Sequence, residues 1–273
     1  MKKRIGIIGI GSMGKMLLNG FIKSKVISQN QINITTYTKE KLNRLKIEFP
    51  DINIFEKASD VTKNSDLIFI CVKPMEVKQI LNEIIGNLTI NSHLISIAGC
   101  VTINNIEKMF NGKISKVIPS LTSEVLEGIS LICHNEKVKE EDKIYLENIL
   151  NKLSTVKNIK ENDFEIAADL TSCAPGLIAA IFNEYVNAAL PFSNFSREEA
   201  TDMVIKTLYG TAKLMKDKEM SFEETLTRVA TKGGITEEGA KVLNEQLPNI
   251  FKTVFEKTLN KHEIVKSTIK NLF

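Results

Sequence analysis

The chain has 273 residues, which is enough for two domains. With 43% hydrophobic and 25% charged residues it has the composition of a folded globular protein, and a net charge of +3 is too small to indicate nucleic acid as a partner. No apolar run reaches the ~20 residues that a membrane span needs, so we also expect no association with a membrane.

Short β-branched runs alternate with amphipathic stretches over residues 1–160. This alternation predicts repeated βα units and a parallel sheet, the plan of an α/β domain. The predicted strands are Arg4–Ile8, Ile32–Tyr37, Asn53–Phe55, Leu67–Val72, His93–Ile97, Ser115–Ile118 and Ile129–Cys133. The predicted helices are Ser12–Ser24, Lys39–Glu48, Met75–Ile85, Ile103–Phe110 and Lys137–Leu153.

The strand pattern stops at residue 160, and residues 161–273 predict an all-helical domain. Prolines and one Gly-Gly pair separate its helices. No low-complexity linker lies between the two parts, so we expect two domains packed closely against each other. The predicted helices are 163–173, 175–190, 196–216, 221–229, 236–245 and 249–272.

Gly9-Ile10-Gly11-Ser12-Met13-Gly14 follows the first predicted strand and opens the first predicted helix. In such a fingerprint the glycines permit a tight turn, a close approach of a pyrophosphate and close packing of helix on strand, while the helix N-terminus offers free N–H groups. The motif therefore predicts a Rossmann NAD(P)-binding domain over residues 1–160. Its cofactor contacts would be Gly9, Gly11, Ser12, Met13 and Gly14. The alternative is a turn that needs glycine only for its conformation.

The second predicted strand ends without the acid that usually binds the ribose 2′-hydroxyl of NAD. It continues instead as Thr36-Tyr37-Thr38-Lys39, and the first acid is Glu40. Hydroxyls and a lysine suit a 2′-phosphate, so we predict contacts from Thr38 and Lys39 and a preference for NADP(H), with NAD(H) as the other possible cofactor. The alternative for Lys39 is a solvent-facing first residue of the next helix.

The four cysteines are widely scattered and form no C-x-x-C pair, which indicates neither a zinc site nor a disulfide framework and favours the reduced cytoplasm. The histidines are far apart and have no Cys or acid at ligand spacing, so we expect no metal site. No G-x-S-x-G elbow is present, so nucleophilic catalysis is not indicated. The cysteines are Cys71, Cys100, Cys133 and Cys173, and the histidines are His93, His134 and His262.

Taken together with three further segments, the glycine fingerprint makes the sequence resemble the pyrroline-5-carboxylate reductase family along nearly its whole length. The fingerprint is similar to the family's I-G-x-G-x-M-G opening. Residues 71–74 (C-V-K-P) resemble its A-V-K-P segment, and residues 96–103 (S-I-A-G-C-V-T-I) resemble its S-x-A-A-G-V-T-I segment. In the helical part, Arg228-Val229 and then Gly233-Gly234-Ile235-Thr236 look like the family's R-V-T-S-P-G-G-T-T loop.

The resemblance implies hydride transfer from NAD(P)H to the cyclic imine Δ1-pyrroline-5-carboxylate, which gives L-proline. It implies that residues 161–273 form a dimerisation and substrate domain, and that the assembly is a homodimer or a ring of dimers. Further cofactor contacts would be Val72, Lys73, Pro74, Ala98 and Gly99; Lys73 would act structurally, and Pro74 would fix the turn. The substrate contacts would be Thr231, Gly233, Gly234, Ile235 and Thr236, with the Thr236 hydroxyl on the imine nitrogen as the catalytic group.

The substrate loop also has a physical interpretation of its own. Gly233-Gly234 followed by Ile235-Thr236-Glu237-Glu238 marks a helix N-terminus, whose exposed amides can hold a carboxylate. Acids in the first helical turn favour the helix dipole. The alternative is a plain helix cap, since Thr is a common capping residue.

The departures from the family pattern cluster around the expected substrate pocket. The family's M-P-N-T-P-A becomes Ile118–Ser123, and its S-G-S-G-P-A becomes Thr171–Gly176. Ala58 stands where the family often has an Asn against the adenosine ribose. The pattern fits a divergent reductase, a changed substrate, or a non-catalytic NADP(H)-binding paralogue like the late-competence branch. A β-hydroxyacid dehydrogenase-like enzyme is the other enzymatic alternative, although the expected G-x-G-x-x-x-K helix start is missing near residue 170.

Overall fold

The computed structural model describes residues 3–273. The chain forms two compact units. The first extends to Pro175 and also includes Thr258–Phe273, and the second is Gly176–Lys257.

The first unit is built on one eight-stranded sheet of order β3-β2-β1-β4-β5-β6-β7-β8. All seven predicted strands are present within it. The order reverses direction between β1 and β4, as in a doubly wound Rossmann sheet, so the predicted fold class is confirmed. The strands are β1 Ile5–Ile8, β2 Ile32–Thr35, β3 Asn53–Ile54, β4 Leu67–Ile70, β5 His93–Ser96, β6 Lys113–Pro119, β7 Gly128–His134 and β8 Ser154–Asn158.

Two features of this sheet differ from the prediction. β7 runs antiparallel to β6, while every other pairing is parallel. Only residues 120–127 join the two strands, and a parallel crossover needs about a dozen residues or more. β8 was not predicted, because its sequence, S-T-V-K-N, is mostly polar and carries no apolar alternation.

The helices of the first unit cover both faces of the sheet. The short polar helix α3 was not predicted, because six residues are too few for a helical period to show. The helices are α1 Ser12–Lys23, α2 Lys39–Glu48, α3 Ala58–Lys63, α4 Val77–Ile84, α5 Ile103–Glu107, α6 Glu140–Leu150 and α7 Phe164–Thr171.

Successive residues of the central strands pack into two different cores. In β4, Phe69 belongs to the core on one face and Ile68 to the core on the other. Phe21 of α1 meets Phe69 edge to face, with ring centroids 5.6 Å apart. Because both faces are covered, these strands are continuous apolar runs rather than alternating ones.

The second unit is helical. Its helices are α8 Ala174–Ala189, α9 Arg197–Asp217, α10 Phe222–Val229 and α11 Ile235–Leu272, and α11 returns to the first unit from Thr258 onward. The predicted break between residues 245 and 249 is wrong, since α11 continues through Pro248. An internal proline removes one backbone N–H and crowds one carbonyl, which can kink a helix without ending it.

Large apolar side chains lie on the surface of the second unit, with Ile235 95% and Phe192 91% exposed. Moreover, an 18-residue window within residues 161–192 has a mean hydropathy of 1.4, so this helical stretch could cross a membrane by length and composition alone. The apolar residues of this stretch are interrupted by polar and charged ones, among them Asp169, Asn183 and Glu184. Apolar surface of this extent indicates a partner, either another protein chain or lipid.

Two histidines that are distant in sequence meet inside the first unit. His93 Nε2 and His134 Nδ1 lie 2.6 and 2.7 Å from the same hydroxyl, Ser115 Oγ. Burial lowers the pKa of His93 to about 3 and also lowers the pKa of His134. Adjacent strands bring these two histidines together although they lie far apart in the sequence.

A neutral, buried histidine makes stability depend on pH. The unfolded His93 binds a proton below its ordinary pKa of about 6.5, whereas the folded one stays neutral down to about pH 3. We expect the free energy of unfolding to fall by up to about 1.4 kcal/mol per pH unit over this range, and not above pH 6.5. Urea unfolding of wild type and His93→Gln at pH 7 and pH 5 checks this. Gln can keep the hydrogen bond to Ser115 but cannot titrate, so an equal acid loss in both proteins contradicts the assignment.

Candidate functional site

The carboxyl ends of four parallel strands meet in one row. Ile8 of β1 is in register with Thr35 of β2 and Ile70 of β4, and Ile70 is in register with Ser96 of β5. The loops that follow these strands therefore share one edge of the sheet, which includes the switch point between β1 and β4. This is the edge at which open α/β sheets bind ligands.

The glycine fingerprint crosses this edge under tight steric limits. Gly9 has a φ of +96° and donates its N–H to Thr35 O at 2.9 Å. A Cβ on Gly14 would lie 2.1 Å from Gly9 O, so α1 packs directly on the turn. A Cβ on Gly11, in contrast, would meet nothing within 4 Å.

The N-terminus of α1 is left open at this turn. Gly11 is its N-cap and provides no side-chain hydrogen bond to the first turn, which begins at Ser12 and Met13. Free N–H groups at a helix N-terminus attract an anion. Beside it lies the α1–α2 pocket, lined by Ile10, Gly11, Ser12, Lys15, Lys41, Arg44, Leu45, Glu48 and Glu124.

A second hollow, the β2-edge pocket, is lined by the start of the fingerprint and by the segment at the end of β2. It combines apolar walls with the hydroxyls that follow β2, so it suits a ribose and a flat apolar ring. Thr38 is the N-cap of α2, and Lys39, its first residue, forms an ion pair with Glu56 at 3.2 Å. The pocket is lined by Ile8, Gly9, Thr35, Thr36, Tyr37, Glu56, Ala58, Val72, Ile80 and Glu83.

The loops after β4 and β5 supply the remaining predicted cofactor residues. Val72 lines the β2-edge pocket, Lys73 is exposed, and Pro74 opens a short 3-10 helix, Pro74–Glu76. After β5, Ala98 accepts the N–H of Val101 at 3.2 Å, which turns the chain beside Gly99. The structure therefore brings the whole predicted cofactor set to one edge of the first unit.

The predicted substrate loop lies in the second unit, where it forms the N-terminus of α11. Gly233 has a φ of +76°, and its N–H donates to Glu237 Oε2 at 2.6 Å. The left-handed residue of this turn is thus Gly233. Gly234 is constrained by space instead, since a Cβ there would lie 2.7 Å from Thr231 Oγ1. Ile235 and Thr236 are exposed at the start of the helix.

One polar cluster beside the cofactor loop was missed by the sequence interpretation. Asp169 of α7 is only 1% exposed, and it accepts hydrogen bonds from Thr258 Oγ1 and from His262 Nε2, the latter at 3.2 Å. On the other ring nitrogen, Nδ1 of His262 lies 3.6 Å from the thiol of Cys100. The carboxylate favours a proton on Nε2, so Nδ1 accepts the thiol hydrogen.

This cluster ties the loop after β5 to α7 and to the end of α11. Burial, and next the charge of Glu165, raise the pKa of the Cys100 thiol, which keeps it a donor. His262 lies 93 positions from Asp169 and 162 positions from Cys100 in the sequence, so no local motif predicts these contacts. Within residues 3–273, no group of three His, Cys, Asp or Glu side chains could hold a metal ion.

Comparison with known proteins agrees with this geometry. The family model for pyrroline-5-carboxylate reductase dimerisation matches residues 161–264, and the model for F420-dependent NADP oxidoreductases matches residues 4–99. Among solved structures, Plasmodium falciparum pyrroline carboxylate reductase with NADP bound superposes with a TM-score of 0.84 and 26% identity, over 97% of this chain and 98% of that one. The Coxiella burnetii pyrroline-5-carboxylate reductase gives 0.86 and 25%, over 97% and 99%.

Two relatives from Bacillus subtilis extend over the full chain. Pyrroline-5-carboxylate reductase 3 is 42% identical over 268 residues, 98% of each protein. ComE operon protein 4 is 30% identical over 270 residues, 99% of each. With identity at this level along the whole length, and with the fingerprint, sheet order and helical second part in place, the chain belongs to the pyrroline-5-carboxylate reductase family.

Proposed function

We propose that this chain reduces Δ1-pyrroline-5-carboxylate to L-proline with NADPH, as an oxidoreductase of proline biosynthesis. The observation that carries the proposal is the full-length 42% identity to a pyrroline-5-carboxylate reductase, together with the open helix N-terminus in the row of strand ends. NADP(H) is the preferred cofactor and NAD(H) the alternative.

The residues present fit a dinucleotide. The uncapped N-terminus of α1 matches a pyrophosphate, and the open space over Gly11 leaves room for it. The β2-edge pocket matches the adenosine half, with Lys39 beside the place of a 2′-phosphate. When bound, the cofactor supplies the hydride.

The substrate loop would hold the imine by its carboxylate. In the structure Glu237 already accepts the N–H of Gly233, which indicates that these amides can bind a carboxylate. The substrate carboxylate would share or take over this position, and the Thr236 hydroxyl would hydrogen-bond the ring nitrogen. A protonated imine is already electrophilic, so positioning and exclusion of water suffice without a strong acid.

The rival class is a non-catalytic NADP(H)-binding paralogue. It is favoured by the similarity to ComE operon protein 4 and by the departures at Ile118–Ser123 and Thr171–Gly176. A β-hydroxyacid dehydrogenase-like activity is the enzymatic alternative. Purified chain with NADPH and pyrroline-5-carboxylate, followed at the nicotinamide absorbance, separates these possibilities.

The assembly we propose is a cytoplasmic homodimer, or a ring of such dimers, that binds no membrane and no nucleic acid. The domain boundary at 160/161 remains our proposal, supported by the start of the dimerisation match at residue 161. In this interpretation the exposed apolar side chains of α8, among them Ile178, Ile181 and Tyr185, face a second copy of the chain rather than lipid.

Thr236→Ala should lower the catalytic efficiency for the imine by one to two orders of magnitude, because one hydrogen bond to a charged group contributes about 1.5–3 kcal/mol. NADPH affinity should stay unchanged, and Thr236→Ser, which keeps the hydroxyl, should recover most of the activity. Steady-state kinetics and thermal melts on the same proteins check this. A lower melting temperature with activity per folded molecule preserved would show that the loop only caps α11.

Gly11→Ala and Gly14→Ala should affect different properties, cofactor binding in the first case and thermal stability in the second. Gly14→Ala forces a Cβ against Gly9 O and should lower the melting temperature. Gly11→Ala meets open space in the chain itself, so it should fold normally while weakening NADPH binding. Gly86→Ala, also in open space but outside the predicted cofactor set, is the control. Calorimetric titration with NADPH should separate Gly11→Ala from this control, and equal affinities would contradict the cofactor site.

Light scattering at micromolar concentration should give at least twice the 30.6 kDa of one chain. Ile178→Asp in α8 should shift the mass toward the monomer, since a charge would enter the proposed interface. Ile144→Asp in α6 is the matched control, because that side chain is also about half exposed but lies outside the matched dimerisation segment. A stable, folded wild-type monomer would refute the assembly.

A further inference from the structure

An ion pair stands where the strands β2 and β3 end. These strands are parallel neighbours, and the N–H of Phe55 donates to Ile34 O at 3.0 Å. Glu56, the second residue after β3, therefore comes beside the segment that follows β2. Its Oε1 lies 3.2 Å from Lys39 Nζ. Lys39 is thus paired with Glu56 in this structure.

The surroundings of this pair are acidic. Glu56 and Glu83 both line the β2-edge pocket, and Glu83 also accepts the N–H of Ala58 at 2.9 Å. Tyr37 lies in the same pocket, and its pKa is raised by burial first and then by the charges of Glu83 and Glu76. An added anion at this edge would therefore meet carboxylates as well as Lys39.

NADPH and NADH differ in the group on the 2′ carbon of the adenosine ribose, and a nearby carboxylate interacts differently with each group. NADPH carries a 2′-phosphate, which competes with Glu56 for Lys39 and is repelled by its charge. NADH carries a 2′-hydroxyl, which is neutral and can donate a hydrogen bond to a carboxylate. A carboxylate here should therefore weaken NADPH binding and leave NADH binding unchanged or stronger.

We infer that Glu56 is a specificity-determining residue that limits how strongly this chain prefers NADPH over NADH, by acting as an internal competitor for Lys39. The inference rests on the proposed cofactor role of the first unit. In most NAD-binding domains an acid at the end of β2 favours NADH. Here Glu56, the second residue after β3, would have that effect. On this basis a chain with a lysine after β2 would retain affinity for NADH.

The effect is limited by solvent. The side chains of Lys39 and Glu56 are 75% and 77% exposed, so water and salt screen their interaction. Exposed charge pairs change affinities by about two- to fivefold. Glu56→Gln should therefore tighten NADPH binding by about that factor at low salt, and the gain should shrink at high salt.

The test is calorimetric titration of wild type, Glu56→Gln and Glu40→Gln with NADPH and NADH, which needs no turnover. Glu40→Gln is the matched control, because it changes net charge equally, next to Lys39, without lining the pocket. The pair 2′,5′-ADP and 5′-AMP repeats the comparison on the adenosine half alone. We expect the ratio of NADPH to NADH affinity to rise in Glu56→Gln and to stay unchanged in Glu40→Gln.

A second comparison isolates the lysine. In a Lys39→Met background, Glu56→Gln should tighten NADPH less than it does in wild type. An unchanged affinity ratio in Glu56→Gln, or an equal rise in Glu40→Gln, overturns the role of Glu56 while the proposed function stands. A wild-type chain that binds neither nucleotide overturns the proposed function, and the role of Glu56 with it.

Discussion

The close approach of α1 to the turn after β1 is the constraint on which the site depends. With Gly14 lying against the Gly9 carbonyl, the helix axis is fixed relative to the central strand. Its unpaired N–H groups therefore point to the place where the strand order reverses. A side chain at Gly14 would push the helix away and remove this alignment, whereas one at Gly9 would lie 2.7 Å from the carbonyl oxygen of Cys71.

Local patterns predicted most of the fold, and the failures share a physical cause. Seven strands could be found because β-branched runs buried on both faces are conspicuous. β8 could not, because an edge strand half in solvent may carry polar residues at no cost to the core. The direction of β7 depends on the length of its connection, and the continuity of α11 through Pro248 depends on the helix around it. Neither property is visible in a hydropathy period.

The candidate site, too, has features that the sequence predicts and features that it does not. The fingerprint, the hydroxyls after β2 and the Gly-Gly turn before α11 could be predicted, since each is a contiguous segment with one conformational demand. The contacts of Asp169, His262 and Cys100, and the pair of Lys39 with Glu56, join residues from separate elements. They depend on register and crossing geometry, which a single sequence does not reveal.

The division of α11 between the two units has a consequence for biosynthesis on the ribosome. Ile269 is fully buried in one core of the first unit, and Thr258 and His262 supply hydrogen bonds to Asp169. These groups are synthesised after all the other elements of the first unit. The nascent Rossmann half therefore emerges with part of one hydrophobic core uncovered and with the Asp169 carboxylate lacking two of its hydrogen-bond donors. Its folding can be completed only after the second unit and the end of α11 have been synthesised, although N-terminal domains generally fold first during synthesis.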